Sequence, residues 1–387
     1  MSRQGVGTPR AVLVAGGFAA VLAACGAPAP SPTASSTPSA SAIPSPSSSP
    51  PPAPPLVVTF RNTGPSVSPW TAVQLTLVAE DGTVAASVND PGGVDGDAYT
   101  VGTDHVYFIE GTTVKAMGRD GTITDAGQVP QVSTTMTAGD GPNIAFAVSP
   151  DESTLVFGIP RAIAGHNGAT IDDSQLWTEP VGGTATSATM LYDNKQPDGV
   201  LLPFGWSNTS IWVSDLPSGL GGGGPFLDYF GFNPATFDPT SHVLTAIHND
   251  CVLSDARAIE ASSSNYTCRS AGSPVLKIVL PSGTQTVTMQ PASATGFGSV
   301  KVSDDGRYLA YGAYIGNFDS GHYVSTIVDL SSGATAATVQ GYTPKQWLDD
   351  DRLVVSPQYS GAASYLLSAA FASPVKIAPD QPMGTLP

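Results

Sequence analysis

Val302-Ser303-Asp304-Asp305-Gly306-Arg307-Tyr308-Leu309-Ala310-Tyr311-Gly312 is the stretch that decides the fold. It aligns without a gap on Val148-Ser149-Pro150-Asp151-Glu152-Ser153-Thr154-Leu155-Val156-Phe157-Gly158. Each copy joins an aliphatic residue, a polar turn and an apolar strand rich in β-favouring side chains. Weaker copies begin at Val101-Gly102-Thr103-Asp104, Trp206-Ser207-Asn208-Thr209, Phe237-Asp238-Pro239-Thr240 and Leu348-Asp349-Asp350-Asp351. A second pattern is a hairpin turn ending in glycine: Asp81-Gly82, Asp120-Gly121, Gly182-Gly183, Ser282-Gly283 and Ser332-Gly333, with Pro217-Ser218-Gly219 as a sixth. Gly82 and Gly333 lie 251 residues apart, five intervals of about 50.

A repeat of that length with two hairpins per unit describes a four-stranded blade. One blade leaves two apolar faces uncovered, so blades must stack around an axis to hide them. No long stretch keeps helical spacing, and the sequence predicts an all-β protein. Residues 56–387 divide into six to seven such units. Six hairpin turns and the terminal strands around Tyr365 to Ile377 favour a seven-bladed β-propeller, with six or eight as neighbouring counts. The strand Leu56 to Phe60 is placed to close the ring against the last blade. The rival arrangement is a pair of β-sandwiches that share turn chemistry.

The V-S-P-D-x-x-x-L-V-F and V-S-D-D-G-R-Y-L-A-Y segments resemble the repeat of TolB-type and WD-like propellers, seen also in the propellers of prolyl oligopeptidase-like enzymes. The resemblance implies a fold and no particular chemistry. No G-x-S-x-G elbow occurs and no hydrolase segment follows the repeats, so peptidase activity is not expected.

The N-terminal region reads as an address. Arg3 and Arg10 precede an uncharged run from Ala11 to Ala24, too short to span a bilayer and of signal-peptide length. Leu22-Ala23-Ala24-Cys25 resembles the lipobox of bacterial lipoproteins. The resemblance implies a signal peptide over 1–24, removed on export, and a lipidated Cys25, palmitate among its acyl chains. Residues 25–55 follow as a tract of Pro, Ser and Ala without a charge, expected to be a disordered linker. The expected location is extracytoplasmic, with the chain held to the cell membrane of a bacterial envelope by its N-terminal lipid.

Two cysteines remain, Cys251 and Cys268, an even pair in an exported chain and hence an expected disulfide. The five histidines, His105, His166, His242, His248 and His322, form no local zinc motif, and no metal site or cofactor is expected. His105 and His242 fall in polar turns and read as solvated. His166 with Asp172 and Asp173, and the acidic run from Asn89 to Asp97, are the remaining places for a metal and read as surface turns. Gly219 to Gly224 lacks the Lys-Ser/Thr of a phosphate loop. Phe226, Tyr229, Phe230 and Phe232 read as a plug between blades, with a docking patch as the alternative. The long interruptions near 158–175, 217–235 and 248–273 are candidate recognition loops.

A net charge of −16 excludes a nucleic-acid binder built on a basic surface. The expected function is a noncatalytic binding or scaffold module for a protein or glycan partner. The rivals are a propeller enzyme acting on extracellular glycans, a hydrolase or lyase, and an envelope assembly factor.

Overall fold

The computed structural model describes residues 53–62, 71–95, 99–130, 144–165, 168–194, 199–207, 209–217, 234–246, 251–252, 266–270, 273–280, 282–317, 320–357, 363–368 and 370–387. Their strands form seven four-stranded antiparallel sheets arranged as a β-propeller. The first blade holds β1 (Leu56–Asn62), β2 (Thr71–Val78) and β3 (Val84–Asp95). The second holds β4 (Tyr99–Val101), β5 (His105–Glu110), β6 (Thr113–Gly118) and β7 (Ile123–Gln128). The third holds β8 (Ala145–Val148), β9 (Thr154–Gly165), β10 (Gly168–Pro180) and β11 (Thr189–Asn194). In the fourth are β12 (Gly199–Trp206), β13 (Ile211–Pro217), β14 (Pro234–Asp238) and β15 (Val243–Ala246). In the fifth are β16 (Cys251–Val252), β17 (Tyr266–Ser270), β18 (Val275–Leu280) and β19 (Gly283–Thr288). The sixth has β20 (Ala294–Val302), β21 (Tyr308–Ile315), β22 (His322–Asp329) and β23 (Ala334–Gln340). The seventh has β24 (Tyr342–Trp347), β25 (Leu353–Pro357), β26 (Ser364–Leu367) and β27 (Val375–Ala378). The last strand, β28 (Gln381–Leu386), returns to the first blade as its innermost strand, beside β1.

Ring closure therefore runs opposite to the expected direction. Leu56 to Phe60 does pair with the chain's C-terminal end, Leu56 opposite Leu386 and Phe60 opposite Gln381. But the last strand joins the first blade, and the last blade is complete without β1. The closure is pinned by Arg61, whose Nε donates to Asp380 Oδ1 at 3.0 Å.

Alternation along each strand explains the packing. On β9, Leu155 and Phe157 join the core shared with the second blade, whereas Val156 joins the core shared with the fourth. On β21, Leu309 and Tyr311 pack toward the fifth blade, Tyr308 and Ala310 toward the seventh. Successive side chains leave a strand on opposite faces, and here both faces are covered. That is why β21 is apolar and buried at nearly every position, where a sheet with one wet face would show alternation. Full burial of each such side chain contributes about 1.5–3 kcal/mol.

Five of the six polar-turn copies connect the two inner strands of a blade, at β4–β5, β8–β9, β12–β13, β20–β21 and β24–β25. The serine of the two strong copies explains the pattern. Ser149 Oγ donates to Asp151 at 2.6 Å and accepts the Thr154 N–H at 3.0 Å. Ser303 does the same with Asp305 at 2.7 Å and the Tyr308 N–H at 2.9 Å. The sixth copy, Phe237-Asp238-Pro239-Thr240, is a correction: it joins β14 to β15, the outer hairpin of its blade. The five secure glycine turns are all outer hairpins of this kind. Gly82 has φ +85° and Gly121 φ +81°, both in the left-handed region. They also touch the preceding blade, where an added Cβ would lie 3.0 Å from Ile377 O and 3.1 Å from Ala86 Cβ. In the fourth blade His242 takes that conformation instead, at φ +59°. Pro217 ends β13, and Ser218 and Gly219 lie outside the described residues.

Candidate functional site

Antiparallel order sorts the connections onto two ends of the propeller. Turns between a blade's first and second strands, and between its third and fourth, share one end, the turn end. Links between second and third strands, and from one blade to the next, share the other, the loop end. Within the stretches 158–175 and 217–235, β9 and β13 end, and β10 and β14 begin, at the loop end; residues 166–167 and 218–233 lie outside the described residues. Of the 248–273 stretch, residues 253–265, between the first and second strands of the fifth blade, lie outside the described residues. β1 is the second strand of its blade, so Leu56 lies at the turn end, where Arg119 also donates to Pro54 O at 2.9 Å.

The turn end is cross-linked by its own carboxylates. Asp81, Asp120 and Asp238 accept backbone N–H groups two residues on, at 2.8, 2.9 and 2.8 Å. These donors, Ser241 N–H foremost for Asp238, hold the three carboxyls below their usual range. Neighbouring blades are then tied together. The Asp305 N–H donates to Asp350 at 2.9 Å between the sixth and seventh blades. Arg352 pairs with Glu80 between the seventh and first.

Glu152 makes the densest tie. It occupies the polar turn of the third blade at φ +54° and points into the equivalent turn of the second. Its Oε1 accepts the N–H groups of Asp104 at 2.7 Å and His105 at 3.2 Å. Its Oε2 meets His105 Nδ1 at 2.6 Å and accepts from Tyr107 Oη at 2.9 Å. Burial alone would raise this carboxyl, but the Asp104 N–H, the His105 ring and the Tyr107 hydroxyl outweigh it and hold it below the usual range. Burial and the Glu152 charge push the Tyr107 phenol well up. His105 is thus part of an interblade tie, which corrects its reading as a solvated turn residue. His242 stacks on Phe237 at 6.2 Å.

Glu179, on β10, is a second buried carboxyl between blades two and three, with no exposed surface. Oε1 accepts the Gln128 N–H at 3.1 Å, while Oε2 has no hydrogen-bond partner among the described residues. Burial raises its pKa above the usual range. A raised folded pKa means that stability present below the unfolded value, about 4.3, is lost as pH rises through the folded one. Glu179→Gln keeps the acceptor and removes the charge. It is expected to raise Tm at pH 7.5 by about 2 °C, in line with roughly 1 kcal/mol in a chain of this size, and to leave Tm unchanged near pH 4. Thermal melts at the two pH values check this.

Four tyrosines stand among the described side chains of the loop end. Tyr314 and Tyr323 have ring centroids 5.0 Å apart, and Tyr342 and Tyr365 meet edge to face at 5.2 Å. Tyr342 and Tyr365 are half-buried. Burial, helped by Tyr365, pushes the Tyr342 phenol up, so it stays neutral and able to donate near pH 7. Sequence reading passed over these tyrosines because their spacing follows no repeat.

Cys268 is buried on β17, and β17 pairs with β16, where Cys251 stands opposite Ser270. Cys25, His166, His248, the side chains of Asp172 and Asp173, the acidic side chains from Asp90 to Asp97, Gly219 to Gly224, and Phe226, Tyr229, Phe230 and Phe232 lie outside the described residues. Among the described residues no three His, Cys, Asp or Glu side chains meet in a metal-binding group.

No family model matches the chain, and no curated protein matches it. Solved structures do. A prolyl endopeptidase shares 14% identity at TM-score 0.50, over 85% of this chain and 51% of that one. An oligogalacturonate lyase in complex with manganese shares 11% at TM-score 0.47, over 78% and 83%. TolB from Acinetobacter baumannii shares 11% at TM-score 0.38, over 86% and 81%. At such identities the likeness to the endopeptidase concerns the fold alone: this chain folds as a β-propeller.

Proposed function

We propose that the protein is an extracytoplasmic lipoprotein whose propeller is a noncatalytic recognition module, meeting a protein or glycan partner through its loop end. The observation that carries this reading is the point where the chain enters the propeller. Leu56 begins β1 at the turn end, so the spacer that follows Cys25 leaves from the end whose carboxylates are engaged in ties between blades. The opposite end, which carries the half-buried Tyr342 and Tyr365, is not the end at which the chain enters.

Cys25 is the lipidated residue in this reading, and two or three acyl chains hold a protein to a membrane stably where one does not. Cys251 and Cys268 form a disulfide. Its support is the pairing of β16 with β17 and the buried, disulfide-bonded sulfur of Cys268.

Two measurements test the proposal. Mass spectrometry of the N-terminal peptide is expected to find a diacylglyceryl group on Cys25, and Cys25→Ser to move the protein from membranes to the medium. An unmodified Cys25 in membrane-free protein overturns the anchor. Photo-crosslinkers at His322 or Thr112, exposed at the loop end, are expected to capture a partner on intact cells, and one at Thr83, exposed at the turn end, to capture none. Capture from Thr83 alone overturns the choice of face.

A further inference from the structure

The four tyrosines share one boundary. The core between the sixth and seventh blades is built by Tyr308, Ala310, Leu353 and Val355, and Tyr342 and Tyr365 pack against it. Tyr314 follows Tyr308 and Ala310 on the same face of β21, and Tyr323 is its partner across β22. Tyr314 sits near the end of β21, Tyr323 near the start of β22, and Tyr342 and Tyr365 at the starts of β24 and β26. All four positions are at the loop end.

Tyr314 is committed to the fold. Its hydroxyl donates to Asn317 O at 2.7 Å, and a Cβ on Gly321 would fall 2.5 Å from its Cζ. Tyr342 and Tyr365 are not committed in this way. Among the described residues their hydroxyls have no hydrogen-bond partner, and neither is sealed from water. Tyr99 supplies the contrast, because it holds the same place in the second blade that Tyr342 holds in the seventh: first residue of an innermost strand. Tyr99 is 5% exposed, lies 4.9 Å from Phe60 and donates to Met383 O at 3.2 Å. There a tyrosine closes the boundary. At the seventh blade the ring stays partly exposed, and among the described residues its hydroxyl has no hydrogen-bond partner.

We infer that Tyr342 and Tyr365 form a binding site for a neutral saccharide at the loop end of the boundary between blades six and seven. The inference rests on the loop end being the recognition face. An edge-to-face pair gives short strips of ring beside two phenol groups, each donor and acceptor, in place of the continuous apolar trough that an extended peptide needs. Sugar rings present that alternation of C–H and O–H. A net charge of −16 disfavours polyanions, so among glycans the uncharged ones are the matching class.

The test uses the full-length chain carrying Cys25→Ser, with saturation-transfer NMR and calorimetric titration. The probes are neutral oligosaccharides of glucose, mannose, arabinose and N-acetylglucosamine, an oligogalacturonate as the anionic control, and a polyproline peptide. At least one neutral oligosaccharide is expected to bind, and the oligogalacturonate not to. Tyr365→Ala is expected to weaken binding about tenfold or more, as for an anchoring aromatic. The double variant Tyr342→Phe, Tyr365→Phe keeps both rings and the fold, and is expected to weaken it severalfold with an unchanged melting curve. No binding by any neutral oligosaccharide, or unchanged affinity in the phenylalanine variant, overturns the inference. Should the peptide alone bind, with loss in Tyr365→Ala, the saccharide assignment falls while the loop-end reading stands. Crosslinking confined to the turn end removes that reading instead.

Discussion

Glu152→Ala is expected to lower the stability of the propeller by about 2–4 kcal/mol, among the largest effects of any single turn residue. The carboxylate accepts from four donors on the preceding blade, and its removal strands them. Tyr107, 1% exposed, is then left with a buried hydroxyl and no acceptor from this turn. Gly102 fits the arrangement closely, since a Cβ there would lie 2.2 Å from Glu152 Oε1. Urea unfolding with the slope unchanged is the measurement. The loss has a defined pH window. Glu152 has a folded pKa below its unfolded one, so its contribution is complete above the unfolded value and disappears as pH falls through the folded value. Wild type and variant are expected to draw together only as pH falls well below the ordinary glutamate range, through the lowered folded value. An equal difference at pH 3 and pH 7 contradicts the assignment of the effect to the charged carboxylate.

Ending the chain after Asp380 is expected to cost more, about 5 kcal/mol or above, and to leave no cooperatively folded protein. The cut removes β28, and with it the fully buried Leu386 and the nearly buried Thr385. It strips the partner from one edge of β1 and opens the ring beside β24 and β4. Val57 of the first blade shares a core with Leu348, Val354 and Ile377 of the seventh, and an open ring exposes both sides of it. Removing Pro387 alone is the control and is expected to change nothing, because Pro387 is exposed and follows the last strand. Near-UV circular dichroism and the heat-capacity trace separate the two truncations.

The propeller was legible because its two devices are local. A serine that feeds an aspartate two residues on and takes an N–H five residues on must be spelled out within one turn. Apolar runs with both faces covered must be continuous in the chain. What local chemistry cannot encode is which hairpin of a blade a turn serves. Asp238-Pro239-Thr240 has the composition of an inner turn and sits at an outer one. The interblade groups were less legible still, since Tyr107 and Glu152 are separated by most of a repeat. One clue was present. In the gapless alignment Glu152 falls where the other copy has Gly306, and both adopt positive φ, +54° and +71°. A glutamate in a glycine's conformation carries a cost that its tertiary bonds offset. Tyr342 and Tyr365 left no comparable trace, because a tyrosine that fills a boundary and one that leaves it open read alike.

The position of β1 between β28 and β2 sets how the molecule answers a mechanical load. A pull on residue 55 acts lengthwise along that strand, against ladders on both of its edges. Such loading is shear: many bonds must rupture together, whereas a strand at a sheet's rim peels away one bond at a time. A load applied at residue 55 therefore meets the joint resistance of two ladders, one on each edge of β1.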